Sequence, residues 1–215
     1  NISSRGISRF ILSFGNVSFI GYPVCDAVFG SKAVFCASVL NIPFNLLVFT
    51  IGVSFINGAK AKSAFSPKLI FSPCVVASLI ALLIAIVRIQ TPAPIGQWFH
   101  LLGDLTTPCA LLIIGSSLSH IPVRDMLGNR FVYSMALLRL LVLPLAVGGV
   151  LALMGIDPFV SDVAVVLSAM PIATNGIMLC LQYGKDERLM TQGLFITTLF
   201  SVISIPAVAY LASLF

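Results

Sequence analysis

Five charge-free stretches of 19 to 27 residues recur along this chain, at positions 33–59, 69–87, 105–123, 163–184 and 189–215. Crossing about 30 Å of hydrocarbon takes about 20 helical residues, so each stretch is long enough to span a bilayer. Two further stretches fit less cleanly: 7–29, with Arg9 at its start and Asp26 near its end, and 131–154, which carries Arg139. Backbone polar groups in lipid must be satisfied within their own segment, so the pattern predicts seven helical crossings. The expected fold is an all-α integral membrane protein. Composition agrees, with 59% hydrophobic and 9% charged residues against about 45–50% and 25% in soluble domains. So few charged side chains cannot cover a soluble globule of 215 residues, which excludes soluble enzymes and disordered regulators. The net charge of +5 does not point to nucleic acid. The basic residues are dispersed, and none form a stripe interleaved with aromatics.

Those basic residues instead report topology. With sides numbered alternately, Arg5, Arg9, Lys60, Lys62, Lys68, Arg124, Arg130, Lys185 and Arg188 share one side, and only Lys32 and Arg88 fall on the other. Cytoplasmic loops carry the excess of Lys and Arg, so residues 57–68, 119–130 and 184–189 are expected in the cytoplasm and Phe215 outside. The membrane concerned is the plasma or inner membrane.

Two spans are interrupted in the same way. Phe14-Gly-Asn-Val-Ser-Phe-Ile-Gly-Tyr-Pro23 and Met170-Pro-Ile-Ala-Thr-Asn-Gly176 place Gly, Pro and Asn at mid-membrane. Such residues imply locally unwound backbone, which is tolerated only where it lines a cavity or is buried in protein. Each is followed by an aromatic-Gly pair, Phe29-Gly30 and Tyr183-Gly184, 154 residues apart. The broken spans are five places apart in the order of crossings, so they enter the membrane from opposite sides. That is the signature of an inverted repeat with binding at the midplane. On this reading, 1–57 holds the last two helices of a first repeat, a broken helix at 7–29 and a helix at 33–57. Residues 66–215 hold a complete five-helix repeat with its broken helix at 159–184. A matching first repeat would begin before residue 1, so seven of an expected ten helices are present, and this piece alone lacks about three helices.

The broken-span motifs, together with Leu102-Gly-Asp-Leu-Thr-Thr-Pro-Cys-Ala-Leu-Leu-Ile-Ile-Gly-Ser-Ser-Leu118, Leu138-Arg-Leu-Leu-Val-Leu-Pro144 and Thr197-Thr198, resemble the auxin efflux carrier family. The resemblance covers essentially the whole chain. It implies a ten-helix, two-domain secondary transporter that exports or exchanges small organic anions by an elevator-like motion, with crossed broken helices holding the substrate. The short connector at 57–68 is similar to that of short prokaryotic members.

Asn16 and Asn175 are the leading candidates for substrate binding. A neutral amide meets a carboxylate without burying a fixed charge, and half-helix N-termini nearby add N–H donors and a positive dipole end. The competing role for each is simply to cap its own broken helix. Gly15, Gly21, Pro23, Pro171 and Gly176 are expected to create the breaks. Arg139 lies near the centre of an apolar span, where a cation costs at least about 2.5–3.5 kcal/mol. It is read either as a counter-charge to substrate or partner of the unwound carbonyls, or as a buried structural pair or a side chain snorkelling toward the cytoplasm. Asp104, the acid well inside a span, is a candidate for carrying a coupling proton. Asn41 and Asn45 flank Pro43 and are expected to join helices more than to bind substrate.

The five cysteines sit singly in apolar runs, with no Cys-x-x-Cys and no histidine at metal spacing, so packing is expected and neither a metal site nor a cofactor is called for. His100 and His120 fall near opposite faces and no Gly-x-Ser-x-Gly is present, so an intramembrane hydrolase is not expected. The rivals are a sodium-coupled symporter of the bile-acid carrier type and a non-transporting receptor or scaffold. Substrate identity, transport direction, the coupling ion, proton or sodium, and assembly, including a homodimer, are left open.

Overall fold

The computed structural model describes residues 2–58, 73–89, 92–119, 127 and 130–212, and every regular element among them is helical. Helix α1 (Ile2–Ser13) stops at an unwound stretch, Phe14–Asn16, and a wide π turn, Val17–Gly21, leads into α2 (Tyr22–Phe29). The break therefore lies at Gly15, upstream of Pro23. Pro23 follows that π turn inside the continuous helix, and the widened turn, in which the Tyr22 N–H bonds back to the Val17 carbonyl, absorbs the N–H that proline lacks. Gly30, at φ +81°, ends α2 and lets the chain turn straight into α3 (Ser31–Leu47). A second π turn carries α3 into α4 (Val53–Asn57).

Helices α5 (Pro73–Val87) and α6 (Ala93–Ser119) follow. Helix α7 (Arg130–Leu137) passes through a π turn, Leu138–Val142, into α8 (Leu143–Leu153). Pro144 has no N–H to give the ladder, and just before it the Leu143 N–H bonds back to the Leu138 carbonyl. That widened turn holds Arg139. Helix α9 (Pro158–Ser168) is started by Asp157, whose side chain accepts from the Val160 N–H at 3.2 Å. The second break runs through Pro171–Ala173, before α10 (Asn175–Gln182) and α11 (Arg188–Ala212). Gly176 lies inside α10, so it flanks this break, as Gly21 flanks the first.

Three continuous stretches among the described residues are long and apolar enough to cross a membrane: Ser31–Asn57, Arg130–Leu153 and Arg188–Ala212. The broken spans contribute the shorter apolar helices Val17–Phe29 and Pro158–Ser168. Much of the exterior is apolar, with Leu153 91% and Ile203 74% exposed. A soluble monomer does not expose contiguous apolar surface on this scale, whereas lipid accepts it. Cys25 and Cys180 are packed inside as expected, but Cys36 is half-buried and Cys109 exposed on this surface.

The core lies where the two broken spans interlock. One apolar cluster combines Phe10 and Phe14 with Ile172, Ile177 and Met190; another combines Val17 and Cys25 with Val163, Leu167 and Met170. Each cluster draws on both ends of the sequence, so neither broken span is buried without the other.

Candidate functional site

The two breaks bond directly to each other. Gly15 and Ile172 form an antiparallel bridge. The Asn16 N–H donates to the Pro171 carbonyl at 2.7 Å, and the Ala173 N–H donates to the Phe14 carbonyl at 3.1 Å. Unwinding frees backbone groups that lipid cannot satisfy, and here each break supplies what the other lacks.

Side chains from other helices satisfy the rest. Arg139 is buried, at 4% exposure. Its Nη1 donates to the Leu12 carbonyl at 2.7 Å and its Nε to the Met170 carbonyl at 3.3 Å. One guanidinium thus ties the end of α1 to the end of the segment leading into the second break, using the fork of donors that Arg has and Lys lacks. A Cβ at residue 15 would overlap Nη2 of Arg139, so glycine is what lets the guanidinium reach the crossing. No acidic side chain pairs with Arg139 among the described residues. Thr197 of α11 accepts from the Ile172 N–H at 3.2 Å while donating to the Gly193 carbonyl at 2.8 Å. Asn41 of α3 donates to the Ser18 hydroxyl at 2.9 Å and the Tyr22 hydroxyl at 2.7 Å, joining α3 to the first broken span.

A small cleft opens at the crossing, lined by Gly15, Asn16, Asn45, Ala173, Thr174 and Asn175 among others. Its volume is about 20 Å³, enough for one water-sized group. Asn16 is buried and its Oδ1 accepts from the Phe19 N–H at 3.2 Å, so it does cap the π turn that follows. The Asn175 side chain is half-buried and makes no hydrogen bond among the described residues. Beside this cleft lies a cavity of about 430 Å³, mostly apolar, with Arg139 and Ser168 on its wall; Val17 and Phe44 line both spaces.

Comparison with known proteins shows what this architecture belongs to. The family model described as "Membrane transport protein" matches residues 62–209. The chain belongs to the auxin efflux carrier family of membrane transport proteins. A Rhizobium meliloti protein named "Putative malonate transporter" is 24% identical over 98% of this chain and 68% of its own length. An uncharacterized transporter of Methanocaldococcus jannaschii is 28% identical over 89% of this chain and 63% of its own. The uncharacterized transporter YfdV of Escherichia coli is 23% identical over 99% and 69%. The chain therefore spans about two thirds of the length of these relatives.

In this auxin efflux carrier family member, the second break, Arg139 and Thr197 fall within the matched segment, while Asn16 and the first break lie before it. The structure brings Asn16 and Asn175 to one cleft, with Gly15 and Pro171 at the backbone bridge. It also puts Asn45 there, although the sequence favoured a helix-joining role for it. Asp104 is carried on α6, but its side-chain surroundings lie outside what is described. Lys60, Lys62, Lys68 and Arg124, which decide the topology, are outside the described residues too. Thr174 in the cleft and Thr197 behind it had no expected role. Both lie in motifs noted in the sequence, Met170–Gly176 and Thr197-Thr198, but their partners could not be read there, because the contacts join residues 25 apart or depend on the bend of the break.

Proposed function

We propose that the chain is a secondary active transporter of small carboxylates, working by an elevator-like alternating-access motion, with its binding site at the crossing of the two broken spans. The observation that carries this reading is the shared cleft in which Asn16 and Asn175, from opposite ends of the sequence, flank the backbone bridge. The inverted-repeat arrangement, with the broken spans entering from opposite sides, is part of the same proposal and accounts for their antiparallel meeting. Asn16 serves as both cap and ligand: its Oδ1 is occupied by Phe19, while an amide nitrogen remains to donate to an anion. Arg139 is placed as stitch and electrostatic background. Its unpaired charge beside the crossing favours an anion over a cation, since no acidic partner cancels it among the described residues.

Malonate is the first substrate to try, on the strength of the relative named for it. The cleft holds one water-sized group, so a carboxylate oxygen would enter it while the body of the ligand displaces the Asn45 and Phe19 side chains or extends toward the larger cavity. Asp104 is proposed as the carrier of a coupling proton. The test is uptake and counterflow of radiolabelled malonate, and of a panel of mono- and dicarboxylates, in vesicles holding the purified full-length protein. Saturable counterflow supports a carrier, and its absence across the panel refutes the reading. Dependence on sodium and not on a pH gradient would favour the bile-acid-type symporter. Under the proton-coupled reading, Asp104→Asn abolishes acceleration by a pH gradient yet leaves counterflow intact.

A further inference from the structure

Hydroxyl groups in the helices of this chain usually bond to a carbonyl one turn back. Thr50 donates to Leu46 O at 2.6 Å, Thr197 to Gly193 O at 2.8 Å, Ser168 to Val165 O at 2.7 Å and Ser201 to Thr198 O at 2.7 Å. Thr174 does not. It is 6% exposed, and its Oγ1 is buried without any partner among the described residues. A buried hydroxyl left unpaired is costly, and other such groups, at Ser161, Thr191 and Ser204, also occur. What separates Thr174 from these is its place: it lines the crossing cleft together with Asn16, Asn45 and Asn175.

The backbone there is open as well. The N–H groups of Gly176 and Ile177 are taken by the Ala173 and Thr174 carbonyls, at 3.1 and 3.2 Å. Those of Thr174 and Asn175, just ahead of them, have no acceptor among the described residues. Helix α10 begins at this point, so the two residues whose N–H groups are free, at a helix N-terminus, line the same small space as the unpaired hydroxyl. Such a combination suits an anionic oxygen.

We propose that the Thr174 hydroxyl is a ligand-contacting group that, with the Thr174 and Asn175 N–H groups, receives one carboxylate oxygen in the crossing cleft. The proposal rests on the reading of the crossing as the anion site and adds to it the residue that completes the neutral donor set. Without ligand the hydroxyl has no protein partner, at a cost to stability, and the ligand supplies that partner. Removing the hydroxyl should therefore act on binding and on stability in opposite directions, which a structural threonine would not do.

The experiment is equilibrium binding of malonate and the carboxylate panel to the purified full-length protein, with chemical unfolding of the ligand-free form, for Thr174→Val, Thr174→Ser, Asn16→Ala and Asn175→Ala. Valine keeps the shape and removes the hydroxyl. It should weaken malonate binding about 10-fold or more with the ligand-free protein at least as stable as the parent. Serine keeps the hydroxyl and should stay within about threefold of the parent. Should the valine variant misfold, Thr174→Ala takes its place in the same comparison. If the valine or alanine variant binds malonate as tightly as the parent while the asparagine variants do not, a water alone satisfies Thr174 and this proposal falls, the anion site standing. If none of the variants changes affinity, or the parent binds neither malonate nor any other member of the carboxylate panel, the crossing is not the site and both readings fall.

Discussion

Replacing Arg139 by lysine tests whether the crossing is stitched by a fork or merely sits near a charge. The guanidinium uses two different nitrogens, Nη1 to Leu12 O at 2.7 Å and Nε to Met170 O at 3.3 Å, to join carbonyls on two separate spans. A lysine ammonium keeps the charge but concentrates its donors at one point. It can meet one of these carbonyls and leaves the other buried and unpaired. A hydrogen bond to a charged group is worth about 1.5–3 kcal/mol, so Arg139→Lys should lose about that much stability. Arg130 begins the same crossing but is exposed, and Arg130→Lys should change stability by less than about 0.5 kcal/mol. The assay is reversible unfolding in mixed micelles, with all variants measured in one detergent composition. Equal unfolding midpoints for the parent and Arg139→Lys, at unchanged slope, would refute the argument, because one point charge would then suffice where two anchored carbonyls are claimed.

Asn16→Ala and Asn175→Ala should each weaken malonate binding about 10- to 150-fold, the loss of one donor to a charged ligand. Only Asn16→Ala should also lose about 0.5–2 kcal/mol of stability, because it alone gives up a cap, the bond from Phe19 N–H; unfolding and binding measured side by side separate the two. Thr197→Val removes the acceptor of the buried Ile172 N–H, and chemical unfolding should show a loss of about 1–3 kcal/mol. A single cysteine at Lys62→Cys, in a background without native cysteines, should resist an impermeant reagent applied from outside, and labelling from outside would overturn the assigned topology.

Both breaks were legible from residue type alone, since Gly, Asn and Pro at mid-membrane leave backbone groups that must find partners. Where each break lies was less so. Gly15, Gly21 and Pro23 were together expected to create the first, yet the unwound stretch is Phe14–Asn16, and Gly21 and Pro23 lie in the helix that follows. A proline announces a missing N–H, but a widened turn ahead of it can absorb the gap without unwinding the chain. Arg139 had two readings open, and the partner of the unwound carbonyls is what the geometry shows; choosing between them required knowing that Leu12, 127 residues away, ends its helix at the same depth. Asn41 and Asn45 looked alike, one helical turn apart beside Pro43, but Asn41 faces Ser18 and Tyr22 whereas Asn45 faces the cleft. Their separation depends on the angle at which α3 passes the first broken span, and periodicity carries no information about that angle.

The bonds at the crossing also limit what kind of motion is compatible with transport. Parting the two breaks would cost the bonds from Asn16 to Pro171 and from Ala173 to Phe14, and one of the two that Arg139 makes to Leu12 and Met170. If a buried group were left unpaired at each of these three, at about 1–3 kcal/mol apiece, the total would be about 3–9 kcal/mol. That reaches the range of the whole stability of an ordinary domain. A carrier that pulled its two breaks apart in every cycle would give up much of its stability each time, so under the proposed mechanism the crossing travels as a body. Helix α3, the α7–α8 crossing and α11 are bonded to it through Asn41, Arg139 and Thr197 and must travel with it. Helices α5 and α6 are different. Helix α5 packs on α3, and α6 meets α10 and α11. Their described side chains are largely exposed, among them Leu83, Ile86, Trp98 and Leu112. Apolar faces slide past one another without stranding hydrogen-bonding groups, so under the proposed elevator-like mechanism the displacement falls between the stitched unit and these two helices.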